Sequence, residues 1–143
     1  MRVFVDTNLW VCPLDRREPD KAAFIRRWLR GLANEHEIVV STQVLIELRS
    51  VLTRKFQPPL SSGDARSALE VLAEFEVVAA DAHLVLDAHE LARREQLSWF
   101  DALIVEAAIR SRCELLYSED LSDGRQFAGL TVRNPFVAFA SNA

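Results

Sequence analysis

The chain opens with Val3, Phe4 and Val5 running straight into Asp6. β-Branched and aromatic residues suit a pleated, packed surface, so this triplet predicts a strand. No polar residue alternates within it, so both of its faces must be covered, as in a parallel sheet flanked by helices. Asp6 then falls where the strand ends, at the sheet edge where α/β folds place their ligand sites. A carboxylate withdrawn from water there needs a cation or hydrogen-bond donors to compensate it. The ordinary alternative is an aspartate that accepts backbone N–H bonds in the following turn.

Amphipathic stretches separate further short apolar runs. Pro19 to about Ala33 carries Phe24, Ile25, Trp28, Leu29 and Leu32 at helical spacing. Ile38 to Val40 predicts a second strand, ended by Ser41 and Thr42, both good N-caps. Val44, Leu45, Leu48, Val51 and Leu52 mark a helix that must stop before Pro58 and Pro59. Ser61 or Ser62 opens a helix through Phe75, Val77 and Val78 make a third strand, and Asp81 caps a helix through Ala92. Ser98 starts another, with Asp101 three residues on in a variant of the capping box. Glu114 to Ser118 is a fourth strand, Glu119 to Gly124 a polar loop, and Leu130 to Val132 a last short strand. Strands separated by helices predict βαβ units, hence a three-layer α/β/α domain with a mostly parallel sheet. At 143 residues, half of them hydrophobic, the whole of 1–143 reads as one domain.

No apolar run approaches the roughly 20 residues that cross a bilayer, and the N-terminus lacks a signal-peptide pattern. Cys12 and Cys113 lie far apart and match no metal pattern. A cytoplasmic protein with reduced thiols and no membrane association is the expectation. A net charge of −4 argues against a broadly basic nucleic-acid surface. Arginine is nevertheless clustered: Arg26, Arg27 and Arg30 share one helix, and Arg49, Arg54 and Lys55 another. The latter three are the candidates for contact with a phosphate backbone. Arg93 with Arg94, and Arg110 with Arg112, are explained by helix C-termini that favour cations.

Four acidic residues sit at element ends. Asp6 follows the first strand and Asp120 the fourth, and parallel strand ends reach the same edge. Glu47 lies in the first two turns of a helix leaving a strand, and Asp101 in the first turn of the Ser98 helix. That helix starts at the same edge if the sheet is simply wound. Carboxylates gathered together repel one another unless a multivalent cation lies among them. Oxygen-only ligands favour Mg²⁺ or Mn²⁺ over zinc, and such sites support phosphoryl chemistry. Each residue also has an ordinary reading: an N-cap for Asp101, a solvated face for Glu47, a turn for Asp120. His36, His83 and His89 stand apart from this set and read as surface residues. With only four glycines and no phosphate-cradling loop or nucleophile elbow, nucleotide-binding folds and serine hydrolases are poorly supported.

The segments Val5-Asp6-Thr7-Asn8, Glu47, Ser98-Trp99-Phe100-Asp101-Ala102-Leu103-Ile104 and Leu116-Tyr117-Ser118-Glu119-Asp120-Leu121 together resemble PIN-domain ribonucleases. The nearest likeness is to the VapC toxins of bacterial type II toxin–antitoxin pairs, and it runs from residue 3 to about Phe136. The resemblance implies that Asp6, Glu47 and Asp101 are metal ligands and catalytic residues, with Asp120 as the fourth and more variable one. It implies that Thr7 or Asn8, and Ser118, support them through hydrogen bonds. Glu119 is a weaker rival to Asp120, and Asp123 has no assigned role. The implied function is an Mg²⁺- or Mn²⁺-dependent endoribonuclease that hydrolyses RNA and leaves a 5′-phosphate. A cognate VapB-like antitoxin would restrain it, and the chain would form a homodimer. Trp10, Phe24 and Trp28 on the early helices are candidates for an apolar interface, and core packing is the alternative role for all three. Two other readings stay open: a catalytically weak PIN-like binding module, and a metal-dependent phosphatase acting on small esters.

Overall fold

The computed structural model describes residues 1–141. Strand β1 (Arg2–Val5) enters the short helix α1 (Thr7–Val11), and a 3₁₀ turn (Cys12–Leu14) leads to α2 (Pro19–Glu35). Strand β2 (Glu37–Ser41) follows, then α3 (Thr42–Ser50), which runs on into a π-helical turn (Val51–Lys55). Helix α4 (Ser62–Ala73), β3 (Glu76–Val78), α5 (Ala82–Glu95), α6 (Trp99–Arg110) and β4 (Leu115–Tyr117) come next. The chain closes with β5 (Gln126–Phe127), β6 (Leu130–Arg133) and α7 (Phe136–Ser141).

Among the described residues the sheet has six strands in the order β3-β2-β1-β4-β6-β5. All neighbours are parallel except β5 against β6. Val3, Phe4, Val5, Val39, Val40, Leu116 and Val132 are almost wholly withdrawn from solvent. Burial along whole strands requires helices on both faces, the α/β architecture expected from those apolar runs. Fully burying each such side chain stabilises the fold by roughly 1.5–3 kcal/mol.

The strand order positions the site. From β1 the chain steps outward through β2 to β3, then crosses back to β4 on the other side of β1. Strand order reverses between β1 and β4, and a crevice at such a reversal is where open α/β sheets bind ligands. Val5 pairs with Tyr117, so Asp6 and Ser118 emerge side by side.

The sheet is not simply wound. Two helices, α5 and α6, lie between β3 and β4. Arg110 at the end of α6 bonds Asp81 at the cap of α5 (2.7 Å), so the pair is antiparallel. Gln43 at the start of α3 bonds the Phe100 carbonyl in the first turn of α6 (3.1 Å), which puts the start of α6 at the edge occupied by Asp6, as expected.

Three short elements lie outside the sequence-based expectation: α1, β5 and α7. Each is too short to display a hydrophobic period. The β5–β6 hairpin is made by Ala128 (φ 43°) and Gly129 (φ 87°), a two-residue turn with both centres left-handed.

The aromatics named as interface candidates make ring contacts within the chain. Trp10 stacks on Phe75 (5.5 Å between centroids), Phe24 on Phe139 (5.2 Å), and Trp28 meets Tyr117 edge-on (4.7 Å). They join helices α1 and α2 to the turn after α4, to α7 and to the sheet, and each ring is half-buried. No helix among the described residues is long and apolar enough to cross a membrane.

Candidate active site

Asp6 sits in extended backbone between β1 and α1, and serves as the N-cap of that helix. Its own N–H reaches the Tyr117 carbonyl of β4 (3.0 Å), extending the ladder by one step. The side chain is 5 % exposed. Oδ1 accepts from the Thr7 N–H (2.7 Å) and Oδ2 from the Ser118 hydroxyl (2.8 Å). Burial pushes this carboxyl up to about 7. The Ser118 and Thr7 donors pull it down only in part, and the nearby charges of Asp120 and Glu47 push it further up. A buried acid held against two other carboxylates is a site that lacks positive charge.

Asn8 ties the neighbours together. Its amide donates to Asp120 Oδ2 (2.9 Å), with longer approaches to Asp6 Oδ2 (3.4 Å) and Ser118 Oγ (3.5 Å). Ser118 Oγ accepts from the Asp120 N–H (3.1 Å), which fixes the loop leaving β4. Glu119 turns instead to Lys21 (3.2 Å), so Asp120 is the loop residue that faces the cluster. Asp123 lies outside it and accepts from the Asn134 N–H (2.8 Å), which gives it a loop-closing role.

Glu47 enters from α3. Ser41 caps that helix through the Val44 N–H (3.4 Å), and the following turns aim Glu47 back toward α1. Its Oε1 accepts from Thr7 Oγ1 (3.2 Å) and from Gln43 Nε2 (3.1 Å). The same Gln43 amide donates to the Phe100 carbonyl in the first turn of α6 (3.1 Å). Gln43 is therefore the bridge between the Glu47 side of the site and Asp101, whose N–H is held by the Ser98 cap (3.2 Å). Sequence reasoning missed Gln43, although its position one turn before Glu47 on the same helix was a usable signal.

The structure thus links Asp6, Glu47 and Asp120 through Thr7 and Asn8, while Gln43 ties the Glu47 side of the site to the backbone just before Asp101. Among the described residues, no three His, Cys, Asp or Glu side chains converge closely enough to enclose a metal ion. The donor chemistry nevertheless fits a hard divalent cation: every donor is an oxygen, and the most buried is short of compensating charge. Arg49, Arg54 and Lys55 are exposed. Lys55 lines a groove of about 890 Å³ with Arg16, Arg17 and Arg26, beside Leu14 and Pro58. None of the four carboxylates lines that groove, so the chemistry is assigned to the cluster at the strand reversal. His83 and His89 are exposed, while His36 is half-buried and its Nδ1 has no partner.

A family model for the PIN domain matches residues 3–122, which contain all four carboxylates. The chain belongs to the PIN-domain family. No curated protein matches this PIN domain in sequence. Solved structures do. VapBC2 of Rickettsia felis, bound to a DNA fragment from its promoter, superposes with a TM-score of 0.66 at 22 % identity, covering 94 % of this chain and 98 % of that one. A toxin–antitoxin complex of Klebsiella pneumoniae gives 0.68 at 18 % identity, covering 93 % and 97 %. The sarcin–ricin-loop-cleaving toxin VapC20 of Mycobacterium tuberculosis gives 0.63 at 20 % identity, covering 90 % and 98 %. This PIN domain therefore has the fold of these proteins over nearly its whole length.

Proposed function

We propose that this PIN domain is a divalent-metal-dependent endoribonuclease, the toxin of a type II toxin–antitoxin pair acting on RNA in the cytoplasm. The observation that carries the reading is Asp6: a buried carboxyl at the strand reversal, raised to about 7 and flanked by Asp120 and Glu47. Asp6, Glu47, Asp101 and Asp120 would hold Mg²⁺ or Mn²⁺. Bound there, such a cation supplies positive charge to a phosphodiester and acidity to a coordinated water.

The chain's own residues do the rest. Ser118 and the Thr7 N–H fix both oxygens of Asp6, the Thr7 hydroxyl and Gln43 orient Glu47, and Asn8 orients Asp120. Preset carboxylates spare the reorganisation that a flexible cluster needs at the moment of reaction. Hydrolysis with retention of phosphate on the downstream fragment would leave a 5′-phosphate.

The exposure of Asp120 supports an open site suited to a polymer rather than a pocket closed around a small ester. Arg49, Arg54 and Lys55 are proposed to meet the RNA backbone outside the cluster. The likeness to VapBC2 and to the Klebsiella toxin–antitoxin complex supports a VapB-like antitoxin as partner, and a homodimer is proposed as the working form.

The test is cleavage of RNA by the purified chain with Mg²⁺ or Mn²⁺, with mapping of product ends. Asp101→Asn and Glu47→Gln are expected to lower the rate by at least a hundredfold with far-UV circular dichroism unchanged. Cleavage at the wild-type rate by either variant would overturn its assignment, and no cleavage by the wild type would overturn the reading itself.

A further inference from the structure

Twelve aromatic residues are present: eight Phe, three Trp and one Tyr. Ten of them are buried or packed against the core. The remaining two are Trp99 (40 % exposed) and Phe100 (60 % exposed), consecutive in the first turn of α6 and immediately before Asp101. Ile46, on α3 beside Glu47, is 70 % exposed. The Phe100 carbonyl is held by the Gln43 amide that also holds Glu47, and Ser98 caps the turn. The two exposed rings are therefore mounted on backbone that is fixed to the candidate site.

A chain of net charge −4 with a carboxylate cluster at its site must bind a polyanion without a broad basic field. Ring faces supply affinity that does not depend on positive charge, because every base has a π face and stacks on an exposed aromatic side chain. Only unpaired bases can splay out to do so.

We propose that the exposed rings of Trp99 and Phe100 each stack on an unpaired base of the RNA flanking the phosphate at the carboxylate cluster. This rests on the nuclease reading above. A second copy of the chain seated on these rings would cover Asp101 and the Gln43–Glu47 pair in the same footprint. Two rings and one isoleucine also fall well short of the ~800 Å² per partner of a standard interface.

The experiment measures cleavage of a pool of single-stranded oligoribonucleotides, and of the same pool annealed into duplex, in Mg²⁺. Trp99→Ala and Phe100→Ala are expected to raise KM on the order of tenfold each, with much smaller changes in kcat and at any salt concentration. Duplex should be a poor substrate for the wild type and should lose its disadvantage in the double variant. Phe100→Tyr should restore KM, whereas Phe100→Leu, apolar but without a π face, should not. Single-stranded RNA should also quench tryptophan fluorescence in the wild type but not in Trp99→Phe, because Trp10 and Trp28 are packed internally. An unchanged KM in both alanine variants overturns the stacking. So does rescue by leucine together with a loss of oligomerisation in sedimentation, which would assign the rings to a protein interface. Should the wild type cleave no RNA, the nuclease reading falls and the Trp99 quenching decides the stacking alone.

Discussion

Replacing Asp6 by asparagine should stabilise this domain at neutral pH and do little in acid. Unfolded, the Asp6 carboxyl loses its proton near its ordinary 3.8; folded, it holds the proton to about 7. Between those values the folded state binds more protons than the unfolded state, so stability falls as pH rises from about 4 to about 7 and levels off above. At 1.36 kcal/mol per pH unit, the full penalty is roughly 4 kcal/mol at pH 8. The substituted amide keeps the shape and never ionises. Its oxygen can accept from the Thr7 N–H, and its NH₂ can donate to Ser118 Oγ once that hydroxyl rotates. Urea denaturation of both proteins, without divalent cations, should give similar unfolding free energies near pH 4.5 and favour the variant by about 3–4 kcal/mol at pH 8. Comparing the two at each pH cancels the carboxylates that do not interact with Asp6. A stability difference that is the same at both pH values would refute the claim that Asp6 is a buried, uncompensated acid.

Mn²⁺ or Mg²⁺ at millimolar concentration should raise the melting temperature of the wild type, a chelator should reverse the rise, and Asp6→Asn should show none, as read by calorimetry. An equal rise in both proteins would place the cation elsewhere. Trp28→Ala should cost about 1 kcal/mol of stability through the lost edge-on contact with Tyr117 alone, with the sedimentation coefficient unchanged. A shift to smaller species without loss of stability would return Trp28 to an interface role.

The sheet was legible because its strands are short unbroken apolar runs, a pattern with few other homes. Asp6 and Asp120 were legible as residues just past such runs. Glu47 followed from the Val44–Leu48 period and the Ser41 cap. The route by which Asp101 arrives was not legible, because hydrophobic spacing does not tell that α5 and α6 fold back as a hairpin. Nor was the division of labour among the polar neighbours. Asn8, Gln43 and Thr7 act through side-chain bonds between elements distant in sequence, and local propensity is silent on those. Core and interface roles for Trp10, Phe24 and Trp28 could not be told apart, because a partly apolar helix looks the same whether its aromatic face meets a partner or another part of the same chain.

The reversal between β1 and β4 also governs when a growing chain acquires its chemistry. Asp6 and Glu47 leave the ribosome early, but the strand that flanks Asp6 and carries Ser118 toward it comes from residues 115–117. Until then β1 has no neighbour on that side and Asp6 Oδ2 has no hydroxyl donor. Closing this arrangement requires contacts more than a hundred residues apart, the kind that form last. Any nascent or truncated product ending before Tyr117 therefore lacks both the strand that flanks Asp6 and the hydroxyl that holds its Oδ2.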